Sequence, residues 1–520
     1  MVATTDKFFW LFVSLLVLCS CSRTETSSHE KYRPQVHFSP AQNWVDGPSG
    51  LVFLDGEYHL FYEYNTTGTN PNPRHWGHAV STDLIHWNEL PVALSPEGDK
   101  IISYGSVVVD AQNTSGLGTI DNPPLVAIYT LTDYTEDAEG QFLAYSLDKG
   151  NTWTTYGDNP VIANLDIRDF RDPKVFWYEP TAHWVMVVAS AERRIRIFTS
   201  PDLKEWTYAS DFGQGLDVEE NTWERPDLFE LPVANGEGTQ WILTLNVGLG
   251  AHNEWMTAFF AGEFDGQSFT TTQTAPYGAD YGKDNYGGIT FNNLPGGRRV
   301  LIGWMNNWEY AEKAPTSTWR GSFTMPRDLH LEKMPYYYIL ASQPVEERTT
   351  LYGKTAVVKD LEVTQDINTS GFADVTSKIH FPLLPAELSI RFKTGNRQIG
   401  FAEKFGVKLS NKEGEFILAG YDAYHQQFYI DRSHSTLLNL PDKYAGVHVQ
   451  RFQDDDSEII EIQLILDAAS IELFAEDGKV ALTDAFYPTS EYNKLEVFAE
   501  NGRIQVEKLT VTQLTTILEQ

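Results

Sequence analysis

Between Val36 and about Leu331 the hydrophobic residues come in short alternating runs cut by turn residues, and helical periodicity is nearly absent. Gly50–Tyr64, Trp184–Ser190, Trp241–Val247 and Val300–Met305 are examples. Alternation with period two puts every second side chain on one face, the signature of half-buried strands. The 38 glycines and 25 prolines are spread along the chain, as many short strands joined by turns require. The fold class expected is therefore all-β.

A weak repeat sharpens this expectation. Ser81-Thr82-Asp83-Leu84-Ile85-His86-Trp87 is echoed by Ser146 to Trp153 and by Ser200 to Trp206, with a degenerate copy at Phe264 to Phe269. A period of roughly 55 to 65 residues is long for a propeller blade but fits four strands with extended loops. After about residues 332–350 the texture changes. Ala386–Lys393, Phe416–Gly420, Gln427–Asp431, Ile459–Leu466 and Ile471–Phe474 alternate between turns such as Glu476-Asp477-Gly478 and Glu500-Asn501-Gly502. This second region reads as an antiparallel β-sandwich. The organisation expected is a propeller over 36–340 and a sandwich over 350–520.

The N-terminus carries a different message. Lys7 precedes the apolar run Phe8–Leu18, followed by Cys19-Ser20-Cys21, the only two cysteines in the chain. A charged start, an apolar stretch too short for an ordinary membrane span, and small residues before a cysteine make a bacterial lipoprotein signal. Residues 1–21 are then a signal peptide, Cys21 the lipidation site, and 22–35 a polar tether. The expected location is the cell surface or outer membrane, with membrane contact through the lipid anchor only. Structural disulfides and thiolate metal sites are excluded from the remainder. The formal charge of −32 would repel phosphate backbones, so no nucleic-acid partner is expected.

Three carboxylates stand out in the first region. Asp46 lies in Asn43-Trp44-Val45-Asp46-Gly47-Pro48-Ser49-Gly50, Asp172 in Phe170-Arg171-Asp172-Pro173, and Glu224 in Trp223-Glu224-Arg225-Pro226-Asp227. Each has proline and an aromatic residue close by at a strand end. A propeller gathers its inner strands round one axis, so acids distant in sequence can meet there. Glycoside hydrolysis needs such a meeting: one ionised carboxylate and one protonated.

The string from His37-Phe38-Ser39-Pro40 through Asn43–Leu51 to Asp55–Tyr62 resembles the opening of glycoside hydrolase family 32, which contains invertases, inulinases and levanases. His75–Ala79 with Asp83 to Trp87, Phe170–Pro173, Trp223–Leu228, Gly297 to Met305, Trp319–Gly321 and Met325–Arg327 resemble its later blocks. Gly420–Asp422, Ile430–Ser433 and Glu472 to Gly478 are similar to its C-terminal sandwich. The resemblance implies a five-bladed propeller followed by a β-sandwich, and retaining hydrolysis of β-fructofuranosides without cofactor or metal. It implies Glu224 as general acid/base, Asp172 as stabiliser of the oxocarbenium-like transition state, and Arg171 as its orienting partner. A nucleophilic aspartate would come from the first motif, roughly 5 Å from the acid. Trp44 and Trp76 would wall the sugar pocket, core packing being the rival role for Trp76, and Asn43, Ser106 and Trp304 would also contact substrate. The anchor favours a polymer too large to import, hence a levan hydrolase cutting internally. An exo-acting inulinase, levanase or invertase is the alternative, and transfructosylation in place of hydrolysis a further one.

Two positions depart from the pattern. The family motif Trp-Met-Asn-Asp-Pro-Asn-Gly places Gly47 in the nucleophile column and Asp46 in the asparagine column. Neighbours on a regular strand face opposite ways, so the shift matters. Asp46 is the nucleophile in a rearranged turn, or the chain is a catalytically impaired fructan-binding lipoprotein, or Glu63 supplies a compensating carboxylate. Arg225 stands where the family has cysteine. On an extended strand it would point away from Glu224 and be structural; a bend there would bring the guanidinium towards the site.

Overall fold

The structure, a computed structural model, describes residues 30–518 apart from 97, 99, 134–137, 164–166, 192, 217–221, 250–253, 367–370, 395–400 and 453–457. Cys21 and the signal sequence lie outside the described residues.

Five antiparallel sheets follow one another from Asn43 to Pro344. Their innermost strands are Asn43–Pro48, Ile101–Val109, Arg171–Tyr178, Glu224–Pro232 and Tyr286–Thr290. Ile101–Val109 packs on Arg171–Tyr178, Arg171–Tyr178 on Glu224–Pro232, Glu224–Pro232 on Tyr286–Thr290, and Tyr286–Thr290 on Asn43–Pro48. Ile101–Val109 also meets Val52–Leu54, Glu57–Tyr64 and His75–Ser81 of the first sheet, so the sheets form a closed ring. Closure is reinforced by Trp319–Arg320, which pairs in parallel with Asn43–Trp44. Closing the ring leaves only the short outer strands as edges.

The repeat seen in the sequence is a single recurring turn between the third and fourth strands of a blade. Ser81, Ser146 and Ser200 each donate a hydroxyl hydrogen bond to the aspartate two residues on. The indole N–H groups of Trp87, Trp153 and Trp206 close the turns on the carbonyls of Leu84, Gly150 and Leu203 at 2.9, 3.1 and 2.9 Å. The fourth copy keeps only the aspartate, Asp265 accepting from the amides of Gln267 and Ser268.

From Tyr352 onward two six-stranded antiparallel sheets stack over a shared apolar core that includes Phe392, Phe405, Leu464, Leu473 and Val497. The predicted strands Ala386–Lys393, Gln427–Asp431 and Ile459–Leu466 appear with those limits. The two parts are stitched by buried charges. Arg327 of the fifth blade reaches Asp280 at 2.7 Å and also binds Glu472, while His37 bridges Asp467 and Glu472 at 2.8 and 2.7 Å.

One irregularity positions the site. Every innermost strand loses register with its neighbour near its start: between Val45 and Pro48, Ile102 and Gly105, Arg171 and Lys174, Glu224 and Asp227, and Tyr286 and Ile289. Such bulges bend a strand and let consecutive side chains leave the strict up-down alternation. Glycine or proline stands in each shift: Gly47-Pro48, Gly105, Pro173, Pro226 and Gly287-Gly288.

Candidate active site

The five bulges put a cluster of polar groups at one mouth of the ring. Asp46 is fully buried, its carboxylate accepting from the Trp44 indole N–H at 3.1 Å and from the Tyr104 hydroxyl at 2.8 Å. Arg74 stands 4.0 Å from Asp46 and 3.3 Å from Glu63. Glu63, also buried, is pushed well above the ordinary carboxylate range by burial; the charge of Asp46 adds to the rise and Arg74 opposes it. The neutral form of Glu63 is thereby favoured.

Asp172 sits at a positive φ of 65° in its bulge. The Thr130 hydroxyl accepts from the Asp172 amide at 3.0 Å, and Gln141 holds the preceding carbonyl of Phe170 at 2.8 Å. One carboxylate oxygen of Asp172 accepts from the backbone N–H of Arg225 at 3.1 Å, tying the third blade to the fourth. Burial raises the Asp172 carboxyl to about 7; the adjacent Arg171 opposes the rise and Glu224 adds to it.

Glu224 is the accessible member, with about a fifth of its side chain exposed. Arg171 donates to one of its oxygens at 3.0 Å and the hydroxyl of buried Tyr286 to the other. Two donors fix the carboxyl plane, while the open side faces solvent. The set comprises one partly exposed carboxyl, Glu224, and three enclosed ones, Asp46, Glu63 and Asp172. That is the equipment of acid-assisted glycosyl transfer.

Several expectations change here. Arg225 does not lie on an extended strand: its φ is +51° and the strand bends, so its guanidinium turns inward and lies over the Tyr104 ring at 3.2 Å and the Tyr286 ring at 4.9 Å. Trp76 is fully buried between blades, with its N–H on the Ser103 carbonyl at 2.9 Å, so its place is in the core. Trp304 is likewise buried behind Trp44, its N–H on the Val45 carbonyl at 3.1 Å. Ser106 is spent on a contact between blades, donating to the Val175 carbonyl and accepting from Asn292, both at 3.3 Å. For these three, packing and hydrogen bonding take up the groups expected to meet sugar. Asn43 remains at the rim, half-buried, with its amide on the Tyr64 hydroxyl at 3.2 Å.

Tyr104 and Tyr286 were not singled out in the sequence. Their signal is an aromatic residue immediately before glycine at the start of an inner strand: Tyr104-Gly105 and Tyr286-Gly287-Gly288. A cavity of about 430 Å³ lies at the other ends of the inner strands, lined by Trp177, Trp184, Trp241, Asp227 and Arg299. It does not touch the carboxylate cluster. Asp227 there is neutralised by Lys174 at 3.0 Å, so the two mouths differ in chemistry.

A ring of five antiparallel sheets with acids from three blades gathered at one mouth, followed by a β-sandwich, is an arrangement suited to a glycosidase. Residues 37–344 match the glycosyl hydrolases family 32 N-terminal domain and 345–513 the family 32 C terminal. The chain belongs to glycosyl hydrolase family 32. It is 39% identical over 519 residues to a levanase of Bacillus subtilis, covering 98% of this chain and 74% of that one. It is 34% identical to an extracellular exo-inulinase of Aspergillus awamori, covering 89% of this chain and 90% of the other. The crystal structure of exo-inulinase from Aspergillus awamori superposes with a TM-score of 0.86 at 31% identity, covering 94% of this chain and all of that one. A fructofuranosidase from Schwanniomyces occidentalis complexed with fructose gives 0.80 at 29% identity, with 95% and 100% covered.

Proposed function

We propose that the chain is a retaining fructan hydrolase that cuts the β-2,6 bonds of levan within the polymer. The carrying observation is that Asp46, Asp172 and Glu224, from three blades, gather at one mouth with Glu224 alone open to solvent. In the first step Asp46 attacks the anomeric carbon of a fructosyl unit. The bond to the leaving oxygen breaks, its electron pair stays on that oxygen, and Glu224 delivers the proton. In the second, Glu224 takes a proton from water, whose oxygen displaces Asp46 and frees the sugar. Asp172 holds the fructosyl hydroxyls and stabilises the positive charge on the ring. Trp44, fully buried like Trp76 and Trp304, backs Asp46 through its indole N–H and does not wall the pocket.

Levan is supported by the similarity to the Bacillus subtilis levanase, and internal cutting by a second relative in that organism, a levanbiose-producing levanase 32% identical over 96% of this chain. Exo-cleavage is the second reading, favoured by the close superposition on an exo-inulinase. Product sizes from levan and inulin separate them: levan oligomers early in digestion support internal cutting, and fructose alone overturns it. Glu224→Gln and Asp46→Asn are each expected to lower kcat at least ~10²-fold. Full sugar release by Asp46→Asn would remove Asp46 as nucleophile, and fructan binding with no release by the wild type would make the chain a binding lipoprotein. We also infer surface anchoring through Cys21, tested by loss of radiolabelled palmitate in Cys21→Ser.

A further inference from the structure

The two positions at which this chain departs from its family meet in space. A Cβ built on Gly47 would lie inside the van der Waals sphere of Arg225 Nη1, and so would one built on Gly287, which has φ +68°. The guanidinium therefore occupies the volume that a side chain at 47 would take. It is buried at 3% exposure, and none of its three nitrogens finds a hydrogen-bond partner among the described residues. What holds it is the pair of aromatic faces, Tyr104 at 3.2 Å and Tyr286 at 4.9 Å. A cation between two rings is attracted by their quadrupoles most strongly where water is excluded. Those same two rings carry the hydroxyls that bind Asp46 at 2.8 Å and Glu224.

We propose that Gly47 and Arg225 form one exchanged unit, in which Arg225 replaces the missing side chain at 47 and serves as the positioning residue for the carboxylate transferred to Asp46. The inference rests on Asp46 being the nucleophile. Layered between Tyr104 and Tyr286, the guanidinium fixes both hydroxyls, and through them the spacing of the attacking and proton-donating carboxyls. The other groups facing this cluster are Glu63 and Arg74 of the first blade, Arg171 and Asp172 of the third and Glu224 of the fourth. Burial works against the charge on Arg225, with Tyr286, Asp46 and Glu63 sustaining it. A carboxylate added at 47 would have to displace the Arg225 guanidinium from its place between the two rings.

The test is an exchange. Gly47→Asp alone is expected to abolish levan hydrolysis, and Gly47→Asp/Arg225→Cys to restore at least ~10% of it, because removing the guanidinium reopens the site. In that double variant Asp46→Asn should cost less than ~10-fold, whereas in the parent it costs ~10² or more. Arg225→Gln should lower kcat ~10-fold with KM changed less than ~3-fold, and Arg225→Lys should bring kcat back to within ~3-fold of the parent, a split and a rescue that mere loss of packing would not produce. Thermal melts of each variant identify any that fail to fold; the Gln and Lys variants then decide through the split between kcat and KM alone. If the parent Asp46→Asn variant stays active, the nucleophile assignment fails. If it is inactive but the double exchange recovers nothing and Arg225→Gln leaves kcat unchanged, the coupling fails and the assignment stands.

Discussion

Arg171 Nη2 lies 3.0 Å from Glu224 Oε1, a contact between neighbouring blades that aims the one solvent-facing carboxyl of the cluster. Arg171 is itself anchored by Asp169 at 2.9 Å and Glu139 at 3.4 Å. The guanidinium thus ties the bulge that carries Asp172 to the bulge that carries Glu224.

Replacing Arg171 should therefore damage turnover more than binding. Arg171→Gln is expected to lower kcat ~10²-fold with KM changed less than ~5-fold, and Arg171→Lys, which keeps charge but not the planar fork, to recover only part. Steady-state kinetics on levan oligomers measures the split; an effect confined to KM would make Arg171 a binding residue.

Glu63 distinguishes two readings of the first motif. Because burial and the neighbouring Asp46 favour the neutral form of Glu63, an uncharged amide of the same shape is a close replacement. Glu63→Gln should retain activity within ~5-fold, whereas Asp46→Asn should not. A loss of ~10²-fold or more in Glu63→Gln would make Glu63 the working carboxylate.

Asp172 predicts a conflict between stability and activity. Its folded carboxyl titrates at about 7, above the ordinary value of 3.8. The native state therefore binds this proton more tightly than the unfolded chain does. Its stabilising contribution is present at low pH and is lost as pH rises from about 4 through about 7. Asp172→Asn should raise the melting temperature at pH 8 by ~2 °C or more while abolishing hydrolysis. Calorimetry beside activity assays checks both halves, and a lower melting temperature at pH 8 would refute the first.

His37 predicts the alkaline limit of the junction between propeller and sandwich. Burial opposes its charge, but Asp467 and Glu472 hold it, raising the imidazole to about 9. A raised histidine contributes fully below its unfolded value of 6.5, and the contribution disappears as pH climbs through about 9. His37→Gln should cost ~3–5 kcal/mol at pH 6 and flatten the loss between pH 7 and 10. Urea melts across that range test it; parallel curves for variant and wild type would exclude the linkage.

Much of the architecture was legible because its signals are local. Alternation along Ala386–Lys393 states which face each residue takes, whatever lies opposite. The Ser-x-Asp turns ending in tryptophan close on atoms within a few residues of themselves, so their recurrence reported the blades directly. Asp172 and Glu224 could be named because their motifs are contiguous. The rest of the site was less legible. Arg225 looked extended and outward, and Trp76 could be read as pocket wall or core, since neither the bulge nor the neighbouring blade that decides these matters lies next to them in the chain.

The sequence by itself determined the all-β class, the repeated blade turn, the sandwich strands and the acids that could do chemistry, because each depends on spacing within a few residues. Tertiary structure alone decided which side chains face the axis. Bulges at Asp46-Gly47 and Glu224-Arg225 arise from pairing with other strands, and they bring a guanidinium, two tyrosines and a glycine's empty volume together from four different blades. No local pattern encodes that meeting, because it exists only once the ring has closed.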